Sequence, residues 1–264
     1  MKTKLGLLET RFLAYAQMRR LQTVRPGQLT EPLRLSAQQE RRLLSRLSQA
    51  GMIARVRRGL YLVPPRLPLG GMWSPGEILA LNTLMLDRQA RHQICGPNAF
   101  SRYGFDEQVP TRVYVYNNRL SGDRRIGAAT LTLIRVADER LGSTEEFPAE
   151  EGLTAVYSSR VRTLVDAVYD WSRFDSLPRA YGWIGRELAA GRVGAAEIVS
   201  VTIRYGNQGT IRRIGALLER EGISGRLLAR LQRVLKPSQS LIPWIPTRPK
   251  RGKMDQRWGI VLNG

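Results

Sequence analysis

The chain has 264 residues, 42% of them hydrophobic, which is enough for two or three units with real cores. Its 42 Lys+Arg against 22 Asp+Glu give a formal net charge of +20, so the expected partner is a polyanion, nucleic acid first and an anionic membrane second. A single cysteine, Cys95, excludes an intramolecular disulfide framework and a cysteine-rich zinc site, and the lack of lysine between residues 5 and 235 excludes a Walker-type phosphate loop or a Schiff-base lysine there.

Residues 1–66 carry 14 of the basic residues and 3 of the acidic ones. Lys2, Lys4, Glu9 and Arg11 interrupt the start, which gives no signal peptide, and no apolar run approaches the roughly 20 residues of a membrane span. The expected location is the cytoplasm, without a membrane partner. Leu5, Leu8, Phe12, Tyr15, Ala16 and Leu21 fall on one face of a first helix. Thr23-Val24-Arg25 is extended, and Pro26 suits the first turn of a short second helix, about Pro26 to Pro32. Ser36 and Gln39 form a capping box opening a third helix to about Ala50. Glu40, Leu43, Leu44, Leu47 and Ala50 are at its inward spacing, and Gly51 supplies the left-handed stop. Ile53 to Val56 and Leu60 to Val63, joined through Arg57-Arg58-Gly59, read as a β-hairpin closed off by Pro64-Pro65. Three helices and a hairpin are the order of a winged helix-turn-helix.

The middle, 67–152, is nearly neutral, with 9 basic and 11 acidic residues. Ser74-Pro75 predicts an N-cap with proline at the first helical position, for a helix through about Leu86, and Pro97 to Tyr103 predicts a shorter one. Arg112 to Asn117, Thr130 to Val136 and Thr154 to Tyr157 are strand-like, with acidic turns such as Thr144-Glu145-Glu146 between them. From Ser159 the pattern is helical, in segments near 160–172, 177–190, 194–205, 208–221 and 224–235, punctuated by glycines at 191, 206 and 222. The tail has an extended character, with Trp258 as an anchor. The expected fold class is therefore α+β. The units are 1–66, a winged helix-turn-helix; 67–158, a mixed α+β middle; 159–236, a helical region forming one domain with the middle; and 237–264, a basic proline-containing tail.

The third helix turns Gln38, Arg41, Arg42, Ser45 and Gln49 away from its leucines. Arginine reads guanine and glutamine reads adenine through paired hydrogen bonds in the major groove. Arg34 and Ser36 stand where a helix N-terminus holds phosphate. Arg55, Arg57 and Arg58 at the hairpin suit a minor groove or the backbone. Gln39 and Arg46, on the same helix, complete the set expected at duplex DNA. Only Glu40 opposes this charge between 34 and 58. Arg212, Arg213, Lys250, Arg251 and Lys253 are additional candidates for phosphate contacts. Arg162 and Asp166, four apart, fit a surface ion pair of a few tenths of a kcal/mol. His92 and Cys95 are too few for a metal site and read as structural; no metal, cofactor or catalytic residue is expected.

The wing ending Arg57-Arg58-Gly59-Leu60-Tyr61, followed by Leu62-Val63-Pro64, is one of four motifs in order. The others are Ile94-Cys95-Gly96-Pro97-Asn98-Ala99 before Tyr103-Gly104, the run Ser158-Ser159-Arg160-Val161-Arg162-Thr163-Leu164-Val165-Asp166, and Gly209 to Gly222. In this order, over about residues 5–235, they resemble the AbiEi-type antitoxins, transcriptional regulators of type IV toxin–antitoxin systems linked to abortive phage infection. The resemblance implies a non-enzymatic repressor of its own operon. It would bind operator repeats, in inverted arrangement, and counter a nucleotidyltransferase-like toxin without needing to touch it. A nuclease with a DNA-reading head, or an RNA-binding protein, are the alternative readings of the same charge.

Overall fold

The computed structural model describes residues 6–66 and 72–264; Leu5, expected to start the first helix, lies outside them, and the expected boundary after residue 66 abuts undescribed residues. The protein is α+β. It divides into two compact units, neither continuous in sequence: Met1–His92 with Thr111–Arg135 and Pro148–Ala155, and Gln93–Pro110 with Val136–Phe147 and Val156–Gly264.

The first unit begins with α1 (Leu7–Met18) and β1 (Thr23–Val24), then α2 (Ala37–Gln49), β2 (Ala54–Arg57) and β3 (Leu60–Leu62). The three strands form an antiparallel sheet in the order β1-β3-β2, with Gly59 at φ +79° in the β2–β3 turn. Phe12, Leu13, Val24, Leu29, Leu43, Leu44, Leu47 and Ile53 share one buried cluster, so these elements carry a core of their own. The capping box is present: Ser36 Oγ accepts from Gln39 N at 3.2 Å, and Gln39 Oε1 accepts from Ser36 N at 2.8 Å. Gly51, at φ +69°, follows the end of α2.

The expected helix at 26–32 is absent; residues 26–34 are a run of turns. Its physical replacement is Glu40. This carboxylate is 1% exposed and accepts from the backbone N–H of Gly27 at 2.6 Å and Leu29 at 2.8 Å. A charged acceptor reaching two backbone donors offers the segment an alternative to helical pairing. One i→i−4 bond, Leu33 N to Leu29 O, stands among turn bonds of other spacing, such as Gln28 N to Arg25 O, Arg34 N to Glu31 O and Leu35 N to Thr30 O.

The unit continues through α3 (Glu77–Asp87). Gly76 is its N-cap; Ser74, expected in that role, instead accepts from Ala128 N at 2.8 Å. After β4 (His92–Ile94) leads out of the unit, the chain returns in β5 (Val113–Asn117), β6 (Gly122–Ile126) and β7 (Ala129–Arg135). The order is β6-β7-β5, β5 parallel and β6 antiparallel to β7, with β6 at the edge. Gly127 closes the β6–β7 turn at φ +61°, where a Cβ would come within 2.6 Å of Ser74 Oγ.

The second unit contains α4 (Pro97–Arg102) and most of β8 (Thr144–Pro148) and β9 (Thr154–Ser158), with strand order β4-β9-β8. Thr144-Glu145-Glu146, expected as a turn, is thus strand; exposed positions alternate with half-buried ones along it, as on an edge. The helical half holds α5 (Arg160–Tyr169), α6 (Trp171–Phe174), α7 (Arg179–Ala189), α8 (Ala195–Tyr205), α9 (Gln208–Arg220) and α10 (Arg226–Val234), close to the predicted segments. The tail forms a second small sheet from β10 (Ile242–Pro243), β11 (Lys253–Asp255) and β12 (Ile260–Leu262), ordered β10-β12-β11. Trp258 anchors it: 1% exposed, the ring donates from Nε1 to Glu219 Oε2 at 2.6 Å and packs where a Cβ on Gly215 of α9 would stand.

Candidate nucleic-acid interface

Helix α2 is amphipathic in the sense the sequence requires. Leu43, Leu44, Leu47 and Glu40 are buried, while Gln38, Arg41, Arg42, Ser45, Arg46 and Gln49 are exposed. Because Glu40 is turned into the fold and engaged there, it does not neutralise the exposed face. Arg34 precedes the helix, exposed and at φ +52°, and Ser36 is exposed at the N-cap. Two of the expected set are partly occupied. Gln39 gives its carbonyl oxygen to the capping box, and Arg46 pairs with Glu9 at 2.7 Å.

The hairpin departs further from expectation. Arg55 and Arg58 are exposed. Arg57, also expected at DNA, is instead held by Asp87 at the end of α3, through Nε to Oδ2 at 2.5 Å and Nη2 to Oδ1 at 2.8 Å. Arg25 donates to the same Oδ1 at 2.8 Å. Asp87 is nearly buried, and these guanidiniums, Arg57 first, hold its carboxyl below the usual carboxylate range. A planar fork paired bidentately with a carboxylate is one of the stronger polar contacts available. Arg57 therefore fixes the hairpin to α3 rather than offering a free cation.

Of the additional candidates, Lys250, Arg251 and Lys253 are exposed in the tail. Arg212 and Arg213 are not available to phosphate. Both are 7% exposed, and they donate to the carbonyls of Ser240 (2.8 Å) and Pro243 (3.1 Å), tying the tail to α9. The Arg162–Asp166 pair, expected on the surface, is buried at 0% and 1% exposure. Arg162 Nε reaches both Asp166 oxygens at 2.9 Å, Arg140 Nη2 reaches Oδ1 at 2.7 Å, and the rings of Tyr205 and Tyr169 lie against the two guanidiniums. Asp166 is thus held by two guanidiniums inside the unit, as a structural carboxylate. Cys95 is buried, and burial holds the His92 imidazole below its ordinary pKa.

Three features are not legible in the sequence: Glu40 as the residue that shapes the turn before α2, Asp87 as the anchor of Arg57, and the exposed pair Arg124–Arg125 on β6. The first two depend on contacts 11 to 62 residues apart in sequence. The third is masked when charge is averaged over the whole middle region.

No family model matches the chain, and no curated protein matches it in sequence. Among solved structures, it is similar to the RV2827C protein from Mycobacterium tuberculosis, with a TM-score of 0.58 and 15% identity, over 97% of this chain and 92% of that one. At that identity the likeness is one of fold, and it extends over nearly the full length of both chains.

Proposed function

We propose that the protein is a DNA-binding transcriptional autorepressor whose first sixty-odd residues act as a winged helix-turn-helix, with α2 as the helix that enters the major groove. The observation that carries this reading is the division of α2 into two faces. Leucines and an inward-turned glutamate hold one face in the core, and Gln38, Arg41, Arg42 and Ser45 stand free on the other. Arginine and glutamine are the side chains that read guanine and adenine edges by paired hydrogen bonds, and a rigid helix presents them in fixed register. Arg34, Ser36, Arg55 and Arg58 supply phosphate contacts around that helix.

The order of motifs resembling the AbiEi-type antitoxins carries the biological half of the proposal: the repressed operon is the protein's own, and the gene beside it encodes a nucleotidyltransferase-like toxin. Two experiments test the two halves. Footprinting of the purified protein on its own upstream DNA is expected to protect a discrete repeat; no protection at low salt, with folded protein, would sink the DNA reading. Co-expression with the neighbouring toxin is expected to restore growth. Growth arrest unrelieved by the protein would remove the antitoxin reading and leave the repressor.

A further inference from the structure

The residues between 111 and 135 hold five arginines and one aspartate, while 136–147 hold one arginine and four carboxylates. The near-neutral middle region therefore contains a basic stretch followed by an acidic one. The fold places the two in different compact units, and the basic stretch falls in the same unit as α2 and the hairpin. Its centre is β6, Gly122–Ile126, an edge strand exposed from Gly122 to Arg125. Asp123, the one carboxylate here, is taken by Arg112 at 3.2 Å and by the Thr132 hydroxyl at 2.9 Å. Arg124 and Arg125 donate to backbone carbonyls of Asp123 and Gly127, and among the described residues no carboxylate pairs with either.

A cleft of about 590 Å³ joins this strand to the proposed reading head. Its walls include Ser48 from the end of α2, Arg55 from the hairpin, Trp73 and Ser74 from the approach to α3, and Arg125 from β6; among the described residues no carboxylate lines it. Arg55 and Arg125 thus face one space from two separate sheets, open to solvent and, among the described residues, without a counter-charge. Two unpaired cations converging on one cleft repel each other, and a polyanion bound there relieves that repulsion.

We propose that Arg124 and Arg125 of β6, with Arg55 across the cleft, form a second phosphate-gripping track for the DNA whose bases α2 reads. This inference rests on the proposed DNA-binding function and adds to it a surface outside the helix-turn-helix. The track holds backbone and no base edges, so it contributes affinity and salt dependence without sequence preference. Its chemistry is that of guanidinium forks on phosphate oxygens, and DNA tracking over it would be covered beyond the positions α2 touches.

The test is the salt dependence of operator binding by the full chain, comparing wild type with Arg124→Ala plus Arg125→Ala, and separately with Arg41→Ala plus Arg42→Ala. Removing one neutralised phosphate lowers the slope of log K against log salt by about 0.9. The β6 double variant is expected to lower it by about 1 to 2, to weaken operator and scrambled DNA alike, and to shorten the footprint on one side. Arg124→Lys plus Arg125→Lys is expected to restore most of the slope, which a misfolded edge would not. An unchanged slope with wild-type operator binding intact overturns the second track and leaves α2 as the reader. Absence of operator binding by wild type overturns both.

Discussion

Glu40 is the only carboxylate between residues 34 and 58, and its position decides what α2 can do. Pointed outward it would repel phosphate; pointed inward it accepts the backbone N–H groups of Gly27 and of the buried Leu29. Glu40→Gln is expected to destabilise the first unit by about 1–3 kcal/mol, since an amide presents one acceptor and one donor to two donors. Urea unfolding at pH 7 checks this; an unchanged midpoint would mean that the turn does not depend on the carboxylate. The same contact explains why Pro26 misleads as a helix start. A proline fixes φ for a first helical turn, yet Glu40 satisfies the backbone donors locally and the segment settles as turns. Arg212 and Arg213 mislead for a related reason. An arginine pair on a helix reads as solvated, and nothing near them in sequence announces that the tail carbonyls at 240 and 243 will cover them.

Among elements, the helical half is largely legible in the sequence. Apolar spacing marks α5 and α7 to α10, whereas the short α6 merges with the end of the segment read as 160–172; Gly191 and Gly222, both in the left-handed region, stop two of the helices. The edge strands β6 and β8 are not, because Gly-Asp-Arg-Arg and Thr-Glu-Glu contain few apolar residues and show no alternation to read. The placement of the hairpin is equally hidden, since it depends on Asp87 of α3 receiving Arg57 and Arg25. Asp87→Asn is expected to cost about 1–3 kcal/mol at pH 7 by weakening these charge-assisted bonds. The sign with pH follows from the depressed folded-state pKa of Asp87. A carboxylate held below its unfolded value stabilises the fold above that value, about 3.9, and the contribution fades as pH falls through the lower folded-state value. The gap between wild type and Asp87→Asn in unfolding experiments is therefore expected to shrink below about pH 4. A gap that stays constant from about pH 7 to about pH 3 would show that Asp87 acts by shape alone.

For the whole molecule, the charge of +20 points to a polyanion, and the structure sorts which cations are free to meet one. Arg57, Arg140, Arg162, Arg212 and Arg213 are committed to carboxylates or carbonyls inside their units. Arg41, Arg42, Arg55, Arg58, Arg124 and Arg125 are exposed. The amphipathic face of α2 can be read directly from residue spacing, whereas the exposed β6 cations emerge only once the acidic strand β8 is seen to belong to the other unit. The proposed sequence-selective repression requires that α2 read bases. The most direct test is the ratio of affinities for the protein's own upstream DNA and a scrambled duplex of equal length, in wild type and in Arg41→Ala plus Arg42→Ala. The expected result is a strong preference for the native sequence in wild type that collapses toward unity in the double variant, with binding to the scrambled duplex largely kept. Each bidentate arginine–base pair is worth about 1–3 kcal/mol of discrimination. Equal affinity of wild type for both duplexes, or a preference that survives the double substitution, would contradict base reading by α2.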